Sequence, residues 1–232
     1  MIKINNDKVY KKAVKKLLKS AKRTKHINDV ISSELVCYSD KYNVNDPISG
    51  TCMKYVENEL KWYISEDLCI YGHNGIDSNY IWRKCASTNG LVNSNYGWCI
   101  FNKNNHYQYK RSIQELKIDK HSRHATMIYS RPSINEEYND GVHASADMIC
   151  TIYTDLLIRN DTLIYIVHMR SNDVLYGLRN DLCWHQYVYK KAFKDLKRVY
   201  PELKEGYIHW NADSLHMYKN TAKKLEHILR DL

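Results

Sequence analysis

The sequence predicts an α/β fold in which one sheet is packed by helices. Three observations carry that expectation. Residues 151–158 (TIYTDLLI) and 162–169 (TLIYIVHM) are two β-rich apolar runs, separated by the polar turn Arg159-Asn160-Asp161. Stretches of helical period lie on both sides of this hairpin, at 8–25, 52–64, 105–118 and 182–200. With 232 residues, 8 Gly and 3 Pro, the chain can bury a large core and lacks an evident linker. A single domain over 1–232 is expected. Both hairpin runs are apolar on both faces, so the sheet is expected to be covered on both sides.

Composition narrows the function classes. A net charge of +9 suits an anionic partner, whether nucleotide, folate-like polyanion, nucleic acid or membrane surface. Seven cysteines without a CxxC pair argue against a disulfide framework or a zinc ribbon, and for a reducing cytosol. No metal site is expected. Neither an N-terminal apolar segment nor an 18-residue apolar run is found, so a signal peptide or a membrane span is not expected and the location is read as cytoplasmic. Twenty Tyr against two Phe, with many Lys, Asn and Ile, fits AT-rich coding, so single tyrosines carry little weight.

In chain order, 8–25 places Val9, Ala13, Val14, Leu17, Leu18 and Ala21 on one helical face and lysines on the other. The lysines read as a solvated face. The helix lacks the interleaved aromatics of a single-strand binder, and direct nucleic-acid binding is not expected. Residues 34–47 alternate like an exposed strand and end in an Asn-Asp-Pro turn. In 52–64, Tyr55, Val56, Leu60 and Tyr63 share a face, with Glu59 and Trp62 beside it. On the stripe alone, such an acid is expected to be solvated. Residues 67–100 read as loop-rich, 105–118 as a helix, ATMIYS as a short strand and 132–146 as a polar loop. A helix over 182–200 stops at Pro201, a short strand YIHW follows, and NTAKKLEHILRDL closes the chain as an amphipathic helix.

The chemistry concentrates between 150 and 181. A lone cysteine such as Cys150 is more often a small buried apolar group than a nucleophile. It gains meaning from its register: Arg170-Ser171-Asn172-Asp173 begins twenty residues later, and Asp181 lies eleven residues after Arg170. A nucleophile, an anion clamp and a carboxylate thus follow one another along a hairpin and the turn after it.

This pattern resembles the thymidylate synthase family. MRSND at 169–173 is similar to its QRSxD segment, YGLRND at 176–181 stands where it has LGxPFN, and the twenty- and eleven-residue spacings match its cysteine and its pyrimidine-reading residue. Glu59-Leu60-x-Trp62-Tyr63 resembles its ELLWF helix, Ile81-Trp82 its IW, Tyr96-Gly97 its YG, Ser122-Arg123-His124 its SRR phosphate motif, and Ser214 to Tyr218 its DTHLY. The resemblance runs from about residue 50 to 220. Asp181 stands where thymidylate synthases usually have Asn. An amide matches the N3–H and O4 of uracil, whereas a carboxylate only accepts, which suits the amino group of cytosine. Asp here resembles the phage-type deoxycytidylate hydroxymethylase branch of the superfamily. Asp181 is also a natural N-cap for a helix over 182–200, and both roles can coexist.

The resemblance implies a thymidylate synthase-like α/β sandwich whose large mixed sheet packs against its twin in a homodimer. It implies a Cys150 thiolate that adds to C6 of a pyrimidine deoxynucleoside monophosphate, with 5,10-methylenetetrahydrofolate as one-carbon donor. Glu59 would organise water and proton transfers. Arg170, Ser171 and, across the dimer interface, Arg123 would hold the phosphate, and Arg170 would also stabilise the thiolate. His216 and Tyr218 would bond the deoxyribose hydroxyl, Asp181 would read the base, and Trp82 and Asp173 would lie on the folate side. A phage origin would put the protein in host cytoplasm. Three other readings stay open: a dUMP methylase, a catalytically silent nucleotide-binding relative, and a partner in a phage nucleotide-synthesis complex.

Several positions depart from the family pattern. Pro-Cys-His becomes Ile149-Cys150-Thr151, and the second arginine of SRR is His124. No arginine is found for the N-terminal phosphate loop; Ser33-Glu34-Leu35 falls in that area, with Lys41 or a nearby lysine as candidate substitute. The chain ends sixteen residues after His216, so the family's C-terminal strands and folate-closing tail are expected to be missing.

Overall fold

The structure, a computed structural model, describes residues 4–19, 23–25, 30–138 and 145–231. It divides into two compact units, Met1–Thr51 with Leu156–Leu232, and Cys52–Asp155. Seven strands form a mixed sheet in the order β1 (Arg23–Lys25), β2 (Ile31–Tyr42), β7 (Lys204–Tyr218), β5 (Thr162–Met169), β4 (Thr151–Arg159) and β3 (Thr126–Ile128), with β6 (Asn172–Asp173) beside β7. This is the α/β architecture expected of the family resembled.

In the first unit, helix α1 (Asn6–Lys19) precedes β1 (Arg23–Lys25) and the long strand β2 (Ile31–Tyr42). β2 runs antiparallel to β7 (Lys204–Tyr218), and β7 runs parallel to β5 (Thr162–Met169) and to the two-residue β6 (Asn172–Asp173). Helix α7 (Gly177–Lys197) returns the chain from β6 to β7, and α8 (Ala222–Asp231) follows it. α7 buries Leu178, Leu182, His185, Tyr189, Ala192 and Leu196, spaced by three and four residues. Trp210, Tyr42, Tyr10 and Tyr165 are almost fully buried in the same unit.

In the second unit, α2 (Met53–Ser65), α3 (Tyr80–Cys85), α4 (Tyr96–Phe101), α5 (Gln108–Ile118) and α6 (Ile134–Glu137) accompany β3 (Thr126–Ile128), which pairs with the first half of β4 (Thr151–Arg159). α4 approaches α2 so closely that a Cβ on Gly97 would lie 1.7 Å from the Tyr63 carbonyl oxygen. The Tyr-Gly pair thus marks a contact that no side chain fits.

The β4–β5 hairpin forms as expected. Its two-residue turn puts Asn160 at φ 49° and Asp161 at φ 55°, the sign that matches strand twist. Coverage of the sheet differs from expectation. Buried and half-buried residues alternate along β5, so Leu163, Tyr165, Val167 and Met169 face the core while Ile164, Ile166 and His168 are half-buried. Within one chain, only one face of this strand is fully covered.

Other elements shift. α1 ends at Lys19, and Arg23–Lys25 pair as strand with Ile31–Ser33, so the helix does not run to residue 25; residues 20–22, including Ala21, lie outside the described residues. Two short helices, α3 and α4, occur in the stretch read as loop. Each is capped by an asparagine, Asn79 and Asn95, whose side chain accepts from the first turn. Part of the polar loop at 132–146 is α6, and its residues 139–144 are outside the described residues.

Candidate active site

In the second unit, α2 buries Val56, Glu59, Trp62 and Tyr63. Glu59 is therefore not the solvated acid its helical stripe suggests; it is 7 % exposed. One turn earlier, Tyr55 Oη donates to Glu59 Oε1 at 2.6 Å, and Trp82 Nε1 donates to Tyr55 Oη at 2.9 Å. Trp82 stands edge-on to Trp62, with ring centroids 4.9 Å apart. Burial pushes the Glu59 carboxyl up to about 7, against the opposing effect of the Tyr55 and Trp82 hydrogen bonds. A carboxyl poised near neutrality and held by a tyrosine can carry a proton in either direction.

Cys150 lies at the entry to β4. It is a half-buried thiol outside any disulfide, and its Sγ faces Met148 O at 3.9 Å. The backbone leading to it is fastened by Asp147. That carboxylate accepts from Asn93 N at 2.9 Å, Ser94 N at 2.6 Å and Ser94 Oγ at 2.8 Å, and its carbonyl accepts from Asn93 Nδ2. Arg123 is exposed on the turn before β3. Ser122 beside it is buried, donates to Glu115 Oε1 at 2.7 Å and accepts from His124 N, so it anchors the turn that carries the guanidinium.

In the first unit, Arg170 follows the last residue of β5 and is half-buried. Ser171 Oγ lies 3.5 Å from His216 Nδ1, and the His216 and Tyr218 rings meet edge to face at 5.1 Å. β7 is a fifteen-residue strand, so Ser214, His216 and Tyr218 lie within it rather than after a short strand. Their spacing of two puts them on one face, while Leu215 and Met217 are buried on the other. β6 pairs Asp173 with His216.

Asp173 serves the turn into α7. Its Oδ1 accepts from Leu175 N at 2.9 Å and Tyr176 N at 2.6 Å. Burial raises its pKa, against the turn's N–H groups and the nearby His216. Among the described residues, its Oδ2 is buried without a hydrogen-bond partner. Asp181 is not the cap of its helix, because α7 begins at Gly177 and Asp181 sits one turn inside. Its Oδ2 accepts from Asn172 Nδ2 at 2.8 Å.

The candidate residues therefore fall into Glu59 with Trp82, Cys150 and Arg123 in one unit, and Arg170, Ser171, Asp173, Asp181, His216 and Tyr218 in the other. Lys41, the candidate phosphate lysine, lies well along β2 from Glu34. It pairs with His209, whereas Glu34, seven residues back along β2, pairs with His216. That separation is about 23 Å at roughly 3.3 Å per residue. Tyr55, Asp147 and Asn172 were not singled out from the sequence as site residues. Tyr55 is four residues before Glu59, a spacing that puts the two side chains together on a helix and so could have found it.

The sequence model of thymidylate synthase matches residues 8–231. The chain belongs to the thymidylate synthase family. It is also similar to the deoxycytidylate 5-hydroxymethyltransferases of Enterobacteria phages T6 and T4, each 40 % identical over 177 residues, which is 75 % of this chain and 70 % of the relative. The phage T2 protein of the same name matches to the same extent. Among the described residues, no helix is long and apolar enough to cross a membrane, and no cluster of His, Cys, Asp or Glu could hold a metal ion.

The co-substrate implied by the thymidylate synthase family can be tested against two side chains. Asp173 Oδ2, buried and unpartnered, is an acceptor suited to the N–H groups of a pterin. Trp82 spends its Nε1 on Tyr55, so it offers ring surface for stacking rather than a donor. Each, taken by itself, has chemistry compatible with a reduced folate.

Proposed function

We propose that this member of the thymidylate synthase family is a pyrimidine-nucleotide C5 one-carbon transferase that takes dCMP and forms 5-hydroxymethyl-dCMP. Family membership supports the transferase class. Asp181 is the observation that carries the choice of base. A carboxylate offers only acceptors, which suit the amino group of cytosine and a protonated N3, and it would face O4 of uracil with repulsion. A mispaired buried polar group costs about 1–3 kcal/mol. The names of the phage relatives agree with this choice.

In this reading, Cys150 adds to C6 of the pyrimidine, which makes C5 nucleophilic. Bound 5,10-methylenetetrahydrofolate supplies the one-carbon unit that C5 acquires. Loss of the C5 proton, with departure of tetrahydrofolate as the leaving group, leaves an exocyclic methylene on the pyrimidine. Glu59, poised near neutrality, orients the water that adds to that methylene and handles its proton. β-Elimination of the Cys150 thiolate then restores the aromatic ring. Arg170 and Ser171 hold the 5′-phosphate, with Arg123 of a second copy. His216 and Tyr218 bond the 3′-hydroxyl, and Asp173 and Trp82 contact the folate.

A homodimer belongs to the same proposal. The half-buried Ile164 and Ile166 on the second face of β5 support it, since a sheet face of this kind is normally covered.

Tritium release from C5 tests the base assignment. Tritiated dCMP incubated with methylenetetrahydrofolate should release label faster than tritiated dUMP, and Asp181→Asn should reverse the preference. Release from dUMP alone would support a dUMP methylase instead. Release from neither would point to a silent nucleotide-binding relative.

A further inference from the structure

We propose that Asn172 is a positioning residue for base selection, whose buried amide sets the orientation of the Asp181 carboxylate. The inference rests on the reading that Asp181 meets the pyrimidine. Asn172 is 2 % exposed, and its backbone is fixed by pairing of β6 with Leu215 of β7. Its Nδ2 donates to Asp181 Oδ2 at 2.8 Å. Among the described residues its side chain makes this hydrogen bond and no other, and its Oδ1 is buried without a partner.

That arrangement is poor for the fold alone. A buried amide with an unsatisfied carbonyl is less stable than an apolar side chain of the same shape. The hydrogen bond to Asp181 accounts for the amide. It is charge-assisted, and it fixes which end of the amide faces the acid, since the reverse orientation sets carbonyl oxygen against carboxylate oxygen.

Gly177 makes room for the pair. A Cβ there would lie 2.9 Å from Asn172 Nδ2 and 3.4 Å from Asp181 Oδ2. The rotation of a carboxylate about one bond sets both the angle and the plane of its acceptors. Tying Oδ2 to a rigid strand fixes that rotation and presents the acid in one plane to a planar base. Fixing the reader before the ligand arrives sharpens discrimination between cytosine and uracil.

Calorimetric titration of dCMP and dUMP, without folate, combined with thermal melting, tests this. Asn172→Leu keeps the shape and removes the donor, so it should fold with unchanged or higher stability. It should lower the dCMP-over-dUMP preference about tenfold, the equivalent of one charge-assisted hydrogen bond. Asn172→Ala should show the same loss. In an Asp181→Asn background, Asn172→Leu should shift the preference less than about twofold, because the interaction it serves is already gone. If Asp181→Asn changes the preference and Asn172→Leu does not, the positioning role is overturned while the base reading stands. If Asp181→Asn changes nothing, the base reading falls and this inference with it. A purely structural asparagine would give the opposite signature: a lower melting temperature with the preference intact.

Discussion

Tyr55 Oη donates to Glu59 Oε1 at 2.6 Å, one helical turn apart on α2, where the carboxyl is buried. Burial holds Glu59 near 7, above the ordinary carboxylate range. The folded state therefore keeps a proton that the unfolded chain loses near pH 4.5. The stability this contributes is complete below about pH 4.5 and is lost as pH rises through 7. Glu59→Gln removes the titration and keeps the acceptor for Tyr55. Thermal melts from pH 5 to 8 should fall with pH for the wild type and fall less for the variant. The gap at pH 8 should be at most about 3 kcal/mol in the variant's favour.

Tyr55→Phe leaves Glu59 without its phenol and Trp82 Nε1 without its acceptor. Urea titration at pH 6 should show a loss of about 1–3 kcal/mol, from the buried Glu59 carboxyl left without its tyrosine donor. Turnover should fall as well, with the alkaline shift expected of an acid that has lost a stabilising donor.

Asp147 is the acceptor for two backbone N–H groups and a hydroxyl three residues before Cys150. Asp147→Ala strands all three donors in a buried site, and it should cost about 2–4 kcal/mol by chemical denaturation. Asp147→Asn, which keeps acceptors but adds a donor pair, should cost less.

Gly97→Ala forces a methyl group against the Tyr63 carbonyl, and backbone cannot yield as a flexible side chain does. Differential scanning calorimetry should show a loss of about 3 kcal/mol or more, above the usual range for overpacking.

The hairpin 151–169 was legible because two apolar runs and a turn of the right length specify their own pairing. The register from Cys150 through Arg170 to Asp181 was legible because the family signal is carried by spacing. Glu59's burial was not, since a helical stripe gives a face and not what covers it. The start of α7 was missed because Gly177 suggests a break, whereas Asp173 caps the turn from four residues upstream. β7 looked short because Asn211, Asp213 and Ser214 interrupt its apolar pattern, yet it pairs with β2 from Ile208 to Tyr218. The tyrosines set aside as coding bias include Tyr10, Tyr42, Tyr129, Tyr165 and Tyr189, all packed in the core.

Mass spectrometry of the nucleotide product tests the central claim most directly. After incubation of dCMP with methylenetetrahydrofolate, the product should carry one added CH₂O unit, as 5-hydroxymethyl-dCMP, and Cys150→Ser should abolish it. Unmodified dCMP alongside conversion of dUMP to its 5-methyl product would contradict the account.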